Sequence, residues 1–219
     1  MHYAPGSEKC PLPYAPFKAC TVPRPIGWLS TLSTEGVANL APYSQWQNLS
    51  VDPPMVMFSA NRNEDGSQKD TVVNALATNW FVWNMATWDL REAVNVSAME
   101  VGGEVDEFDL AGVTKAACID TDVPRVAESP AHYECQVIGH HVLDGTTPQG
   151  TCDVIFAKVT RIHVDERFVT QDGRLDIPKI KPIARMGYYD YAVVEDVFEM
   201  KIPNAAGTSL ASGLEGRGS

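Results

Sequence analysis

Residues 132–143 and 152–168 are two long runs rich in β-branched residues, separated by Asp144-Gly145-Thr146-Thr147-Pro148-Gln149-Gly150. That pattern predicts a long antiparallel pair, because β-branched side chains suit a pleated surface and Gly and Pro allow the reversal between. A second hairpin is predicted from residues 26–32 and 37–42 around Ser33-Thr34-Glu35-Gly36, where Gly36 supplies the positive φ such turns often need. Residues 55–60 are apolar throughout and read as a buried strand, and 80–85 read as another. Asp70 or Thr71 is placed to cap a short helix through Thr78, and Thr87 a second helix near 88–99, ended by Gly102-Gly103. The chain therefore reads as mainly β with a few short helices.

At 219 residues the chain accommodates one well-buried domain. The expected organisation is an extended Pro-rich arm over 1–20, one domain over 21–203, and an Ala-, Gly- and Ser-rich tail over 204–219 that lacks apolar anchors. No apolar run is long enough to cross a bilayer, and the N-terminus lacks a basic segment followed by an apolar core, so a cytoplasmic protein is expected. A net charge of −11, with 17 Lys and Arg in no dense run, argues against nucleic acid. Any anionic ligand must be held locally.

Five scattered cysteines without a CxxC pair suit reduced thiols better than disulfides or zinc, and no metal is expected. His140 and His141 are adjacent on a predicted strand and face opposite ways, so they cannot chelate one ion together. No Gly-x-Ser-x-Gly turn is present, and Gly102-Gly103 lacks dinucleotide-cradle spacing, so neither a serine hydrolase nor a Rossmann site is indicated.

Four segments follow one another in order: Pro23-Arg24-Pro25-Ile26-Gly27-Trp28-Leu29-Ser30-Thr31, then Asn39-Leu40-Ala41-Pro42-Tyr43-Ser44, then Asp52-Pro53-Pro54 before the apolar run, then Lys69-Asp70-Thr71. Their order and spacing resemble the flavin reductase-like family, which includes flavoredoxins, ferric reductases and the reductase components of two-component monooxygenases. The resemblance spans about residues 14–194. It implies an FMN-binding split β-barrel of Greek-key type, a homodimer, and FMN near the subunit boundary.

The resemblance implies that Ser30, Thr31, Arg62, Lys69, Asp70 and Thr71 lie around the FMN phosphate and ribityl chain. The residues suit that task, since two cations, hydroxyls and the free amides of a helix start favour an anion. Taken locally they read more readily as a solvated polar loop beside an ordinary capped helix, and only the ordered set of motifs reverses that. Trp28, Ser44, Gln45 and Asn48 are candidates for the ring, the polar ones as donors to its pyrimidine edge. Trp28 and Trp46 are also the residue type expected in a core. Arg24, held between two prolines, suits a phosphate or a carboxylate. Arg185 and Tyr191 match an Arg-x-Gly-x-x-x-Tyr pattern and are candidates for contact with nicotinamide or substrate.

The implied activity is NAD(P)H-dependent reduction of FMN, followed by electron transfer to a second acceptor such as a monooxygenase. The flavin carries that chemistry, so no catalytic side chain is required. The alternative is a flavoredoxin-like FMN electron carrier that hardly uses NAD(P)H.

Overall fold

The structure is a computed structural model and describes residues 1–200. The expected tail and the end of the 21–203 domain lie outside the described residues. A single helical turn, α1 (Phe17–Cys20), precedes β1 (Arg24–Pro25) and the hairpin of β2 (Gly27–Leu32) and β3 (Ala38–Tyr43). A second hairpin follows, β4 (Trp46–Val51) with β5 (Pro54–Asn61), then α2 (Asp70–Thr78), β6 (Trp80–Asn84), α3 (Arg91–Val96) and α4 (Glu107–Ala111). Short strands β7 (Lys115–Ala116) and β8 (Arg125–Val126) lead into the long pair β9 (Ala131–Leu143) and β10 (Cys152–Val164). Helix α5 (Ile177–Ile180) and strands β11 (Ile183–Arg185) and β12 (Tyr191–Val193) follow.

Seven strands form one antiparallel sheet in the order β3-β2-β6-β9-β10-β5-β4. The expected long pair is its spine. Two register shifts, at Phe156/Ala157 and Val159/Arg161, interrupt the ladder, the kind of irregularity that bends a strand and increases its twist. The sheet curls until the end of β3 meets β5, where the Tyr43 and Phe58 rings lie 5.4 Å apart.

Inside the curl, Trp46 stacks on Trp83 with centroids 5.8 Å apart and planes 2° from parallel, and Phe58 meets Phe81 edge-on at 5.2 Å. Gly27 leaves room there, since a Cβ would stand 3.0 Å from Trp46 Cβ and press on the ring. Losing one such ring to alanine costs about 3–5 kcal/mol. A second apolar cluster gathers Trp28, Leu40, Val94, Phe108 and Ile183, and so ties α3, α4 and β11 to the first hairpin.

Several boundaries depart from expectation. The strand expected to reach 168 stops at Val164, since the Asp165 carboxylate accepts from Arg167 N and turns the chain into a 3₁₀ helix, Glu166–Phe168. Strand β5 alternates, burying Val56, Phe58 and Ala60 while Met55, Met57 and Ser59 are only half-buried. Neither Asp70 nor Thr71 caps α2. Lys69 holds the cap position without a side-chain bond, because Thr71 Oγ1 donates to Asn39 Oδ1 at 2.8 Å instead. Thr87 does not cap α3 either, since it bridges to Pro182 and the helix is confined to Arg91–Val96. Helix α4, capped by Asp106 through Phe108 N, went unforeseen.

Candidate functional site

Two adjoining hollows share Pro42 and Tyr43, at the end of β3, and Ala98, just after α3. They form one two-lobed cleft. The larger lobe, about 780 Å³, is built from the arm (Ala15, Phe17, Lys18), β1 (Arg24), the β3–β4 turn (Ser44, Gln45), β11 (Arg185), β12 (Tyr191) and the loop between them (Tyr188, Tyr189). The smaller, about 290 Å³, lies at the start of α2 between Asn39, Asn63, Lys69, Asp70 and Thr71 on one side and residues 97–101 with Glu107 on the other.

Lys69 is the cation of the smaller lobe, and its Nζ meets Glu100 Oε1 at 2.6 Å. The Glu100 side chain is 85% exposed, and such pairs are worth at most about 1 kcal/mol, so a dianion in the lobe can displace it. Because α2 begins without a side-chain cap, its first amides remain available to an anion. Behind them lies a buried polar network. Asn39 Oδ1 accepts from Thr71 at 2.8 Å and from Thr31 at 3.1 Å, while Asn39 Nδ2 and Leu40 N donate to Glu107 at 3.0 and 3.1 Å. Burial pushes the Glu107 carboxyl up, only partly opposed by those bonds. Burial likewise pushes the Tyr43 hydroxyl up to about 12, so the wall shared by the lobes carries a neutral phenol.

In the larger lobe, Arg24 is the organiser. It donates to Ser44 Oγ at 3.3 Å, to Thr21 O at 3.0 Å, to Met186 O at 2.9 Å and also to Lys18 O. Arg24 pairs with Arg185 across β1 and β11, and the Arg185 guanidinium lies over the Tyr191 ring at 4.6 Å. Among the described residues neither Arg24 nor Arg185 forms an ion pair with a carboxylate.

Of the residues singled out by sequence, Ser44, Gln45, Arg185 and Tyr191 line the larger lobe and Lys69, Asp70 and Thr71 the smaller. The others lie elsewhere. Trp28 is fully buried, its Nε1 donating to Ser97 Oγ at 2.9 Å, and Ser30 is buried with its hydroxyl on Pro124 O at 2.6 Å. Thr31 is buried behind Asn39 and reaches the lobe only through it. Asn48 is exposed on β4, the edge strand, away from both lobes. Arg62 is engaged by the buried Asp153, at 3.0 and 3.3 Å, and lines neither lobe. Trp46 lies in the core.

A flavin reductase like domain matches residues 19–182, three quarters of the chain. The chain belongs to the flavin reductase-like family. A protein of Aquifex aeolicus is 34% identical over 170 residues, covering 77% of this chain and 84% of the relative. Among solved structures, nitrilotriacetate monooxygenase component B from Bacillus cereus superposes with a TM-score of 0.83 at 29% identity, over 91% of this chain and 98% of that one. Flavoredoxin of Desulfovibrio vulgaris shares the fold at a TM-score of 0.69 and 17% identity, over 97% and 100% of the two chains. The curled sheet is thus the split barrel of flavin reductases, and the family supports a flavin-related oxidoreductase. Among the described residues no helix is long and apolar enough to cross a membrane.

The cleft fits a flavin of this family. One lobe offers a cation and an uncapped helix start to a phosphate, and the other offers hydroxyl, amide and aromatic surfaces to a flat ring. Sequence reasoning did not single out Asn39, Tyr43, Asn63, Asn95 or the arm residues Phe17 and Lys18. Asn39 and Tyr43 stand inside a motif already recognised. The others come from segments with no local signal, brought in only by tertiary packing.

Proposed function

We propose that this protein binds FMN across the two-lobed cleft and accepts hydride from NAD(P)H as a flavin reductase. The single observation that carries this reading is the adjacency of the two lobes across Tyr43, one suited to a phosphate and the other to a ring. Bound FMN would supply the hydride-accepting ring and pass its electrons onward.

The chain's own residues would hold and tune it. Lys69 and the first amides of α2 neutralise the phosphate, and Thr71 is kept in place by Asn39. Ser44 Oγ already accepts from Arg24, which leaves its own proton free to donate into the larger lobe. Arg24 and Arg185, bonded only to carbonyl and hydroxyl oxygens, with Arg185 over the Tyr191 ring, offer the pyrophosphate of a nicotinamide donor two unneutralised guanidiniums. Such a local positive patch matters in a chain of net charge −11.

The second acceptor is proposed to be a monooxygenase, supported by the likeness to a monooxygenase component B. A homodimer is proposed too, supported by the exposed Leu49 and Val51 on the edge strand β4. Light scattering should give about twice the 23.9 kDa chain mass, and a flavin-loaded monomer would refute the dimer. The reductase reading is tested by adding NADH or NADPH to the FMN-loaded protein without air. Rapid bleaching of the flavin is expected. A flavin that stays oxidised with both donors rejects the reductase and favours an electron carrier.

A further inference from the structure

Cys118, Glu134 and His163 meet on the other side of the sheet from the Trp46 core. Glu134 alternates along β9 with Tyr133 and Cys135, which pack into or against that core, so its carboxylate points the opposite way, beneath the segment that leads to β8. One ligating atom from each of the three residues lies within 4.8 Å of the other two. None of them lines the flavin cleft.

The cluster is already organised. Glu134 is fully buried and accepts from Ile119 N at 2.9 Å, Asp120 N at 2.6 Å and His163 Nε2 at 2.5 Å. Two backbone amides thus fix a carboxylate in place, as outer partners do for metal-binding carboxylates. Beside it, His132 pairs with His163 across β9 and β10, their rings 6.0 Å apart. His132 is only 3% exposed, and its Nδ1 has no hydrogen-bond partner among the described residues. An unpaired buried nitrogen on the ring beside His163 is costly unless something is bound there.

We propose that Cys118, Glu134 and His163 bind one Zn²⁺, with water in the fourth position. A mixed sulfur, nitrogen and oxygen set in a tetrahedral arrangement suits zinc, and hard cations such as Mg²⁺ would not accept the thiolate. Around one zinc the three donor atoms would stand about 3.5 Å apart, so the cluster closes with small side-chain movements. Binding moves no electrons. The Cys118 thiol proton passes to solvent as the zinc–sulfur bond forms, and His163 gives up its hydrogen bond to Glu134, its ring proton moving to Nδ1 so that the Nε2 lone pair binds the ion. The ion pins the Cys118–Asp120 segment to β9 and β10. The sequence gives no hint of it, since the three ligands come from three separate segments.

The test uses the flavin-loaded, full-length protein, stripped with a chelator and titrated with Zn²⁺ by calorimetry and with Co²⁺ in difference absorption spectra. One Zn²⁺ per chain is expected, together with a near-ultraviolet thiolate-to-cobalt band. Cys118→Ser should abolish that band, and both Cys118→Ser and His163→Gln should weaken Zn²⁺ binding at least tenfold. Zinc should raise the melting temperature of the unaltered protein but not that of His163→Gln. A band that survives Cys118→Ser places the metal on another thiol, such as the exposed Cys20, and overturns the proposal. Failure of the unaltered, folded protein to bind Zn²⁺ overturns it as well. Should both variants fold poorly, X-ray absorption of the zinc-loaded unaltered protein decides, and a spectrum without a sulfur ligand refutes the site.

Discussion

Arg62 and Lys69 are two cations near the same helix start with opposite roles. Arg62 holds Asp153, which is 1% exposed and also accepts from Gln68 and His140, each at 2.8 Å. Burial pushes the Asp153 carboxyl up, but bonds from Arg62, Gln68 and His140 outweigh it and hold it below the usual carboxylate range. A depressed carboxylate contributes stability above its unfolded value near 3.9, and that stability is lost as pH falls through the folded value. Arg62→Ala should therefore cost about 2–4 kcal/mol in denaturant melts at neutral pH, with a smaller difference in strong acid, while sparing FMN affinity. A variant that melts normally and loses FMN would return Arg62 to the phosphate. Ser44 makes the complementary case, because its hydroxyl faces the larger lobe. Ser44→Ala should keep FMN but lower the flavin reduction potential, by an amount equivalent to about 1–3 kcal/mol of preference for the reduced form, as read by spectroelectrochemistry. An unchanged potential removes Ser44 from the ring.

Elements decide which residues meet. The arm was legible as Pro-rich and extended, yet its last turn, α1, packs so closely on the β11–β12 loop that a Cβ on Gly187 would lie 2.4 Å from Ala19 Cβ. That contact brings Phe17 and Lys18 to the cleft wall. Gly187→Ala should displace α1, cost about 1–3 kcal/mol in thermal stability and expose the arm to limited proteolysis. Unaltered melting and cleavage would mean that the arm does not pack there. The long β9–β10 pair, the β2–β3 hairpin and α2 followed from period, turn residues and β-branching, because those signals are local, whereas β4 carried no such signal and its hairpin with β5 did not follow. The termini of α2 and α3 did not. Thr71 and Thr87 are good capping residues by type, but Asn39 and Pro182 engage them, and those partners lie far away in sequence. Trp28 and Ser30 were placed at the ligand because they sit in a recognised motif. Arg24 and Ile26 of that motif line the larger lobe, while Trp28 and Ser30 are buried and line neither lobe, Trp28 donating to Ser97.

For the whole molecule, the family and the mainly β barrel could be read from four ordered motifs, whereas the charge distribution could not. A chain of net charge −11 gathers Lys18, Arg24 and Arg185 around one lobe and sets Lys69 in the other, and only the folded sheet brings these distant residues to one cleft. Since Lys69 is the cation of the smaller lobe, the affinity gained from a phosphate should depend on it. Calorimetric titration of the apoprotein with FMN and with riboflavin, before and after Lys69→Ala, measures that dependence directly. FMN should bind the unaltered protein at least tenfold more tightly than riboflavin, a charge-assisted contact being worth about 1.5–3 kcal/mol, and Lys69→Ala should remove most of the difference while leaving riboflavin unchanged. Equal affinity for the two flavins in the unaltered protein, or an FMN preference that survives Lys69→Ala, would contradict a phosphate site at the start of α2.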